Sequence, residues 1–217
     1  MDYLSREGSP ISAELWEKID NAVVSTAKKF LTGRRFISIY GPLGAGIQSI
    51  NVDNISELEE SEGSISVVKG RVYQQIPLIN QDFTLLWRDL EFSEQMGLPV
   101  DLSSASRAAS QCALKEDELI FLGNEELGYK GLLTEDGVIK LPISDWSEGE
   151  NPFKDISAGL ARFLENGIAG RKALVVSPKL FVDLQRIQPG TGITEYDRIS
   201  RILNGNIFQT PVLKGNK

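Results

Sequence analysis

The chain has 217 residues, 41% of them hydrophobic and 24% charged, which is enough apolar material for a sizeable core in one domain or two small ones. A net charge of −7 argues against a nucleic-acid binder, because neutralising phosphates needs clustered Lys and Arg, and no apolar run approaches the roughly 20 residues of a membrane span. Histidine is absent, which removes Ser-His-Asp and Cys-His nucleophiles, His-ligated metals and imidazole acid-base chemistry together.

The start, MDYLSREGSP, lacks the basic-then-apolar order of a signal peptide, and Cys112 has no second cysteine to bridge to, so a cytoplasmic setting is expected. From Ser12 to Thr32, Leu15, Trp16, Ile19, Ala22, Val23, Ala27, Phe30 and Leu31 form one broad apolar stripe at helical spacing. Ser12 caps this helix, Glu14 and Glu17 suit its positive end, Lys28 and Lys29 its negative end, and Gly33 is placed for a left-handed stop. The stripe is wider than one packing face needs. Next, RRFISIYG (34–41) alternates as a strand would, with Ile37 and Ile39 on one side. GPLGAG follows, yet no Lys-Ser/Thr pair comes after Gly46 and IQSINV reads as a strand, so this is not a phosphate loop.

Two β-branched segments, IQSINVDNI and ISVVKGRVY, flank the acidic tip ELEESEG, the pattern of a long hairpin arm. The spacing of Glu57, Glu59, Glu60 and Glu62 matches no calcium loop, so a solvated tip is expected. An isolated two-stranded arm is marginal in water and calls for a second subunit to lie on. PLINQDFTLLWRDLE (77–91) reads as a further strand, turning polar at a half-buried Trp87.

The stretch from Asp101 to Gly123 is the spine. Ser103 or Ser104 can cap it, and Ala105, Ala108, Ala109, Cys112, Ala113, Leu119 and Ile120 make an alanine-rich stripe that allows close approach. Glu116 falls in that stripe and needs an Arg or backbone N–H partner; the other reading is a catalytic acid. YKGLL and VIKLP flank Thr134–Gly137 as a hairpin. Then come a helix at 151–166, the buried strand KALVV, a helix capped by Ser177-Pro178, a helix from Thr194 to Leu203, and a final strand NIFQTPVL whose partners should follow it. QPGTGIT (188–194) marks an exposed turn between two helices.

Taken in register, Gly33-Arg34-Arg35, Gly41-Pro42, Trp87 in WRD, Glu116-Asp117-Glu118 and Gly128-Tyr129-Lys130-Gly131-Leu132-Leu133 resemble the shell proteins of encapsulin nanocompartments over nearly the whole chain. The resemblance implies an α+β, tailed-phage major-capsid-like fold with a spine helix. Its parts would be an N-terminal helix (1–33), a peripheral domain (34–44 and 73–140), an extended loop (45–72) and an apical domain (141–217). Members of that family continue past PVLKGNK with further strands, so the sequence reads as C-terminally incomplete.

The function implied is structural: a non-enzymatic subunit that assembles with copies of itself into an icosahedral shell. That shell would hold cargo enzymes, such as ferritin-like iron-storage proteins or peroxidases, by C-terminal targeting peptides. A phage head protein and a flavin-binding enzyme are the alternatives. The cargo peptide is expected along Val23, Ala27, Phe30, Leu31, Arg34 and Ser38, where helix stripe, cation and hydroxyl border one groove. In the family the loop matching Gln188, Pro189, Gly190, Thr191 and Gly192 surrounds the five-fold axis as a pore, and some members place a flavin against the tryptophan matching Trp87. The strand before Trp87 lacks the basic residue that helps there. No metal ligand set is expected.

Overall fold

The computed structural model describes residues 6–52, 58–59, 67–68, 72–188 and 190–215, which fall into two compact units, one made of Met1–Ile37 with Gln81–Lys217 and the other of Ser38–Asn80. In the smaller unit β1 (Ser49–Asn51) pairs antiparallel with β4 (Tyr73–Gln75), and β2 (Leu58–Glu59) with β3 (Val67–Val68). The expected antiparallel pairing is therefore present, but Leu58 and Glu59, read as part of the acidic tip, lie in a strand; residues 53–57, 60–66 and 69–71, with Glu57, Glu60 and Glu62, lie outside the described residues.

The larger unit begins with α1 (Ala13–Phe30). The Ser12 hydroxyl accepts the Leu15 N–H at 3.2 Å, as the sequence predicts. Its other end stops differently. Leu31 is the C-cap, and Arg35 Nη2 donates to the carbonyls of Lys28 (3.2 Å) and Lys29 (3.0 Å), so a guanidinium satisfies acceptors that the helix leaves open. Gly33 is not a left-handed stop: it is buried in a short 3-10 turn (Gly33–Arg35), where a Cβ would sit 2.8 Å from Ile120 Cδ1. No strand follows at 34–40: among the described residues no strand pairs with the alternating Ile37 and Ile39, and both are exposed.

α1 lies along the spine helix α3 (Ser103–Phe121). Neither Ser103 nor Ser104 caps α3; instead the Asp101 carboxylate accepts the Ser103 N–H at 2.9 Å and the Ser103 hydroxyl at 3.1 Å, which holds the Asp101 carboxyl below its usual value. Before it, residues 77–86 are irregular, and Trp87 opens a helix, α2 (Trp87–Met96), rather than lying on a strand. The Trp87 indole is 74% exposed, not half-buried, and α2 has no buried residue.

At the end of α3, Gly123 takes φ +74°, as a C-terminal stop requires. The following chain caps the helix. β5 (Gly123–Asn124) pairs with β6 (Tyr129–Lys130), and the N–H groups of Leu132 and Leu133 then donate to the carbonyls of Ile120 (2.8 Å) and Phe121 (2.9 Å). The hairpin therefore turns at 125–128. Leu132 and Leu133 serve the helix end instead of a strand, which is why the expected pairing about Thr134–Gly137 does not form.

The C-terminal part is built from α4 (Asn151–Glu165), β7 (Leu174–Val176), α5 (Pro178–Leu184), α6 (Glu195–Ile202) and β8 (Ile207–Gln209). The final strand finds a partner earlier in the chain: β8 pairs in parallel with β7, Val175 opposite Phe208, and the α5 and α6 crossover supplies the length a parallel pair needs. Trp146, Val176, Leu180, Leu184, Ile199, Leu203 and Ile207 form its buried core, flanked by Phe153, Ile156 and Leu160 of α4. Each fully buried aliphatic side chain there contributes about 1.5–3 kcal/mol. Ser177 caps α5, as read from the sequence, and Thr194 and Asp197 form a reciprocal capping box on α6.

Candidate functional site

The end of α1, the turn after it, the spine and the end of β8 meet at one carboxylate. Asp117 is fully buried. Its Oδ2 accepts the Thr32 N–H at 2.9 Å and its Oδ1 the Gly33 N–H at 3.0 Å, while the Thr210 hydroxyl donates to Oδ2 at 3.4 Å. The Thr32 hydroxyl donates in turn to the Gln209 carbonyl at 3.2 Å. Beside this polar cluster Phe36 stacks on Phe121 (6.1 Å between centroids) and on Phe208 (5.6 Å). The junction is thus tied by both hydrogen bonds and rings.

Glu116, the residue singled out from the stripe, has the Arg partner expected of it. Arg34 Nε and Nη2 donate to its two oxygens at 2.5 and 2.7 Å, a bidentate pair. That carboxylate makes the Arg34 guanidinium hold its proton more firmly, against the opposing effect of partial burial. Arg34 is therefore held on the spine. Of the other residues expected to hold a peptide, Val23, Ala27, Phe30 and Leu31 are half-buried along α1, while Ser38 is exposed and belongs to the smaller unit. With no strand at 34–40, the turn Gly33–Arg35 is what borders the end of α1.

Sequence reading placed Asp117 in the Glu116-Asp117-Glu118 motif but did not give it this buried role. The signal was available: Ala105, Ala109, Ala113, Asp117 and Phe121 form one row at i, i+4 spacing, and all are buried.

The 188–194 loop is a closed turn. Ile187 bridges Thr194 at its neck, the Gln188 N–H donates to the Ile193 carbonyl at 2.9 Å, and Thr191 donates back to the Gln188 carbonyl through its N–H (3.2 Å) and hydroxyl (3.0 Å). Gly190 and Gly192 take φ +81° and +67° there, which the absence of a Cβ permits. Pro189 lies outside the described residues. Among the described residues, no group of three or more Cys, Asp or Glu side chains is placed to hold a metal ion, and no helix is long and apolar enough to cross a membrane.

In the larger unit a long spine helix packs the N-terminal helix along itself and is followed by a helical lobe, a capsid-like fold. A solved virus-like particle from Pyrococcus furiosus shares it, at a TM-score of 0.67 over 93% of this chain and 76% of that one, with 22% identity. The family model described as "Encapsulating protein for peroxidase" matches residues 1–216. The type 1 encapsulin shell protein EncA of Myxococcus xanthus is 36% identical over 99% of this chain and 77% of its own length. The diheme-cytochrome-encapsulin shell fusion protein of Kuenenia stuttgartiensis is 40% identical over 93% of this chain and 58% of its own. The chain belongs to the encapsulin shell-protein family.

Proposed function

We propose that this shell subunit assembles with copies of itself into a closed icosahedral compartment in the cytoplasm, acts there as a container and not as a catalyst, and retains a redox enzyme by an apolar C-terminal tail. The tail lies along the end of α1, on Val23, Ala27, Phe30 and Leu31, with Arg34 supplying a polar contact. The observation that carries this reading is the incomplete use of α1. Of its broad apolar stripe only Ile19 is buried, while Val23, Ala27, Phe30 and Leu31 are half-buried, so the helix keeps apolar surface after docking on the spine. Arg34 is fixed in orientation by Glu116, so a donor on its outer edge is preorganised for a peptide carbonyl. The fusion relative, which joins a diheme cytochrome to a shell protein, supports a redox cargo.

Burying two or three Leu or Ile side chains of a tail contributes on the order of 3–8 kcal/mol before ordering costs, a weak single site that a shell offsets by presenting many. Replacing Phe30 with Asp tests it. Shells should still form while loading of a co-expressed tailed cargo falls severalfold; undiminished loading places the peptide elsewhere. A flavin on the exposed Trp87 face is the secondary reading, checked by visible absorbance of the purified protein.

A further inference from the structure

Beneath the 188–194 loop lies a charge cluster that neither the shell nor the cargo reading uses. Glu195, the first residue of α6, is 1% exposed, yet it is ionisable and stands at a helix start where a smaller polar residue would do. Its Oε1 accepts from Arg198 Nη1 at 3.1 Å. With the Gln188 amide turned to satisfy both of its neighbours, that amide nitrogen donates to the same Oε1 at 2.9 Å and to the Gly149 carbonyl at 3.2 Å. Oε2 is equally enclosed and has no hydrogen-bond partner among the described residues. Arg198 in turn lies 4.3 Å from the Phe153 ring centroid and 3.5 Å from Glu150 at the start of α4.

Burying a carboxylate with one oxygen unserved is unfavourable, so a fold carries one where the charge does something else. Here it joins three elements: α6 through Arg198, the segment before α4 through Gly149 and Glu150, and the loop through Gln188. The limb entering the loop is tied a second time just before Gln188, since Arg186 Nη1 donates to the carbonyl of the core residue Trp146 at 2.6 Å and the Arg186 carbonyl accepts the Glu195 N–H at 3.1 Å. Among the described residues the tip holds local turn bonds.

We propose that Glu195 is a positioning residue: the buried Glu195–Arg198 pair, by gripping Gln188, sets the place of the 188–194 loop from beneath, so that the loop's position is fixed by α6 and not by its own glycine-rich sequence. The consequence for solute passage rests on reading this loop as a pore wall; the latch does not.

The test is residue-resolved amide exchange on the assembled protein, comparing wild type with Glu195→Gln, which keeps the shape and removes the charge. Exchange at Gln188, Thr191 and Ile193 should rise at least about tenfold, while Leu174 and Thr210, whose amides bond across the β7–β8 region, stay unchanged. If Glu195→Gln does not fold, Gln188→Ala leaves the buried pair intact and should raise the same loop amides. Unchanged loop exchange, or an equal rise at Leu174 and Thr210, overturns the proposal. Faster loop exchange with unaltered entry of a small cargo substrate leaves the latch standing and removes the pore reading.

Discussion

Asp117 Oδ2 accepts the backbone N–H of Thr32 at 2.9 Å across 85 residues of sequence, so a single buried carboxylate fixes where the N-terminal helix ends on the spine. Asp117→Ala would leave the buried donors of Thr32 and Gly33 without an acceptor. We expect it to lower stability by about 2–4 kcal/mol, and Asp117→Asn by roughly half that, since one oxygen remains. Urea denaturation measures both. An Ala variant within about 0.5 kcal/mol of wild type would mean that water replaces the carboxylate.

Two glycines separate a yielding contact from an unyielding one. A Cβ on Gly131 would meet backbone, 2.3 Å from Gly123 N and 2.6 Å from Leu122 C, whereas one on Gly33 would meet the end of the Ile120 side chain at 2.8 Å. Gly131→Ala should therefore cost at least about 3 kcal/mol or prevent folding, against about 1–2 kcal/mol for Gly33→Ala. Equal thermal shifts in the two variants would contradict this.

Near the N-terminus Arg6 donates to both Asp20 oxygens, at 2.7 and 2.9 Å, and lies 4.7 Å over the Trp16 ring centroid. The hydrogen bond from Arg6 holds the Asp20 carboxyl below its ordinary value of 3.8. A folded value below the unfolded one means that the stabilisation is complete above the ordinary value and is lost as pH falls through the folded value. The pair is half exposed, so its contribution stays below about 1 kcal/mol. Asp20→Asn should match wild type in strong acid and fall short of it at neutral pH, which denaturation across pH resolves; a gap that persists unchanged in acid would assign the loss to packing.

Every α-helix but α2 was legible, because each carries a periodic stripe, and three carry a side-chain cap that works locally: Ser12, Ser177 and Thr194 each accept an N–H of the first turn. What failed depended on partners that periodicity does not name. Ile37 and Ile39 alternate without a strand to pair with, and Leu132 and Leu133 were claimed by the open carbonyls of α3. At the site, Glu116 was legible as an anomaly in an apolar stripe. The burial of Asp117 was not, since one charged residue beside another looks solvated unless the i, i+4 row through Ala109 and Ala113 is followed to it.

The arm calls for neighbouring copies, and the account stands on assembly. Electron microscopy of the purified protein, alongside a variant lacking residues 50–68, tests this most directly. The account predicts closed particles of uniform diameter for the wild type and their loss in the deletion variant; intact shells without the arm, or no particles in either sample, would contradict it.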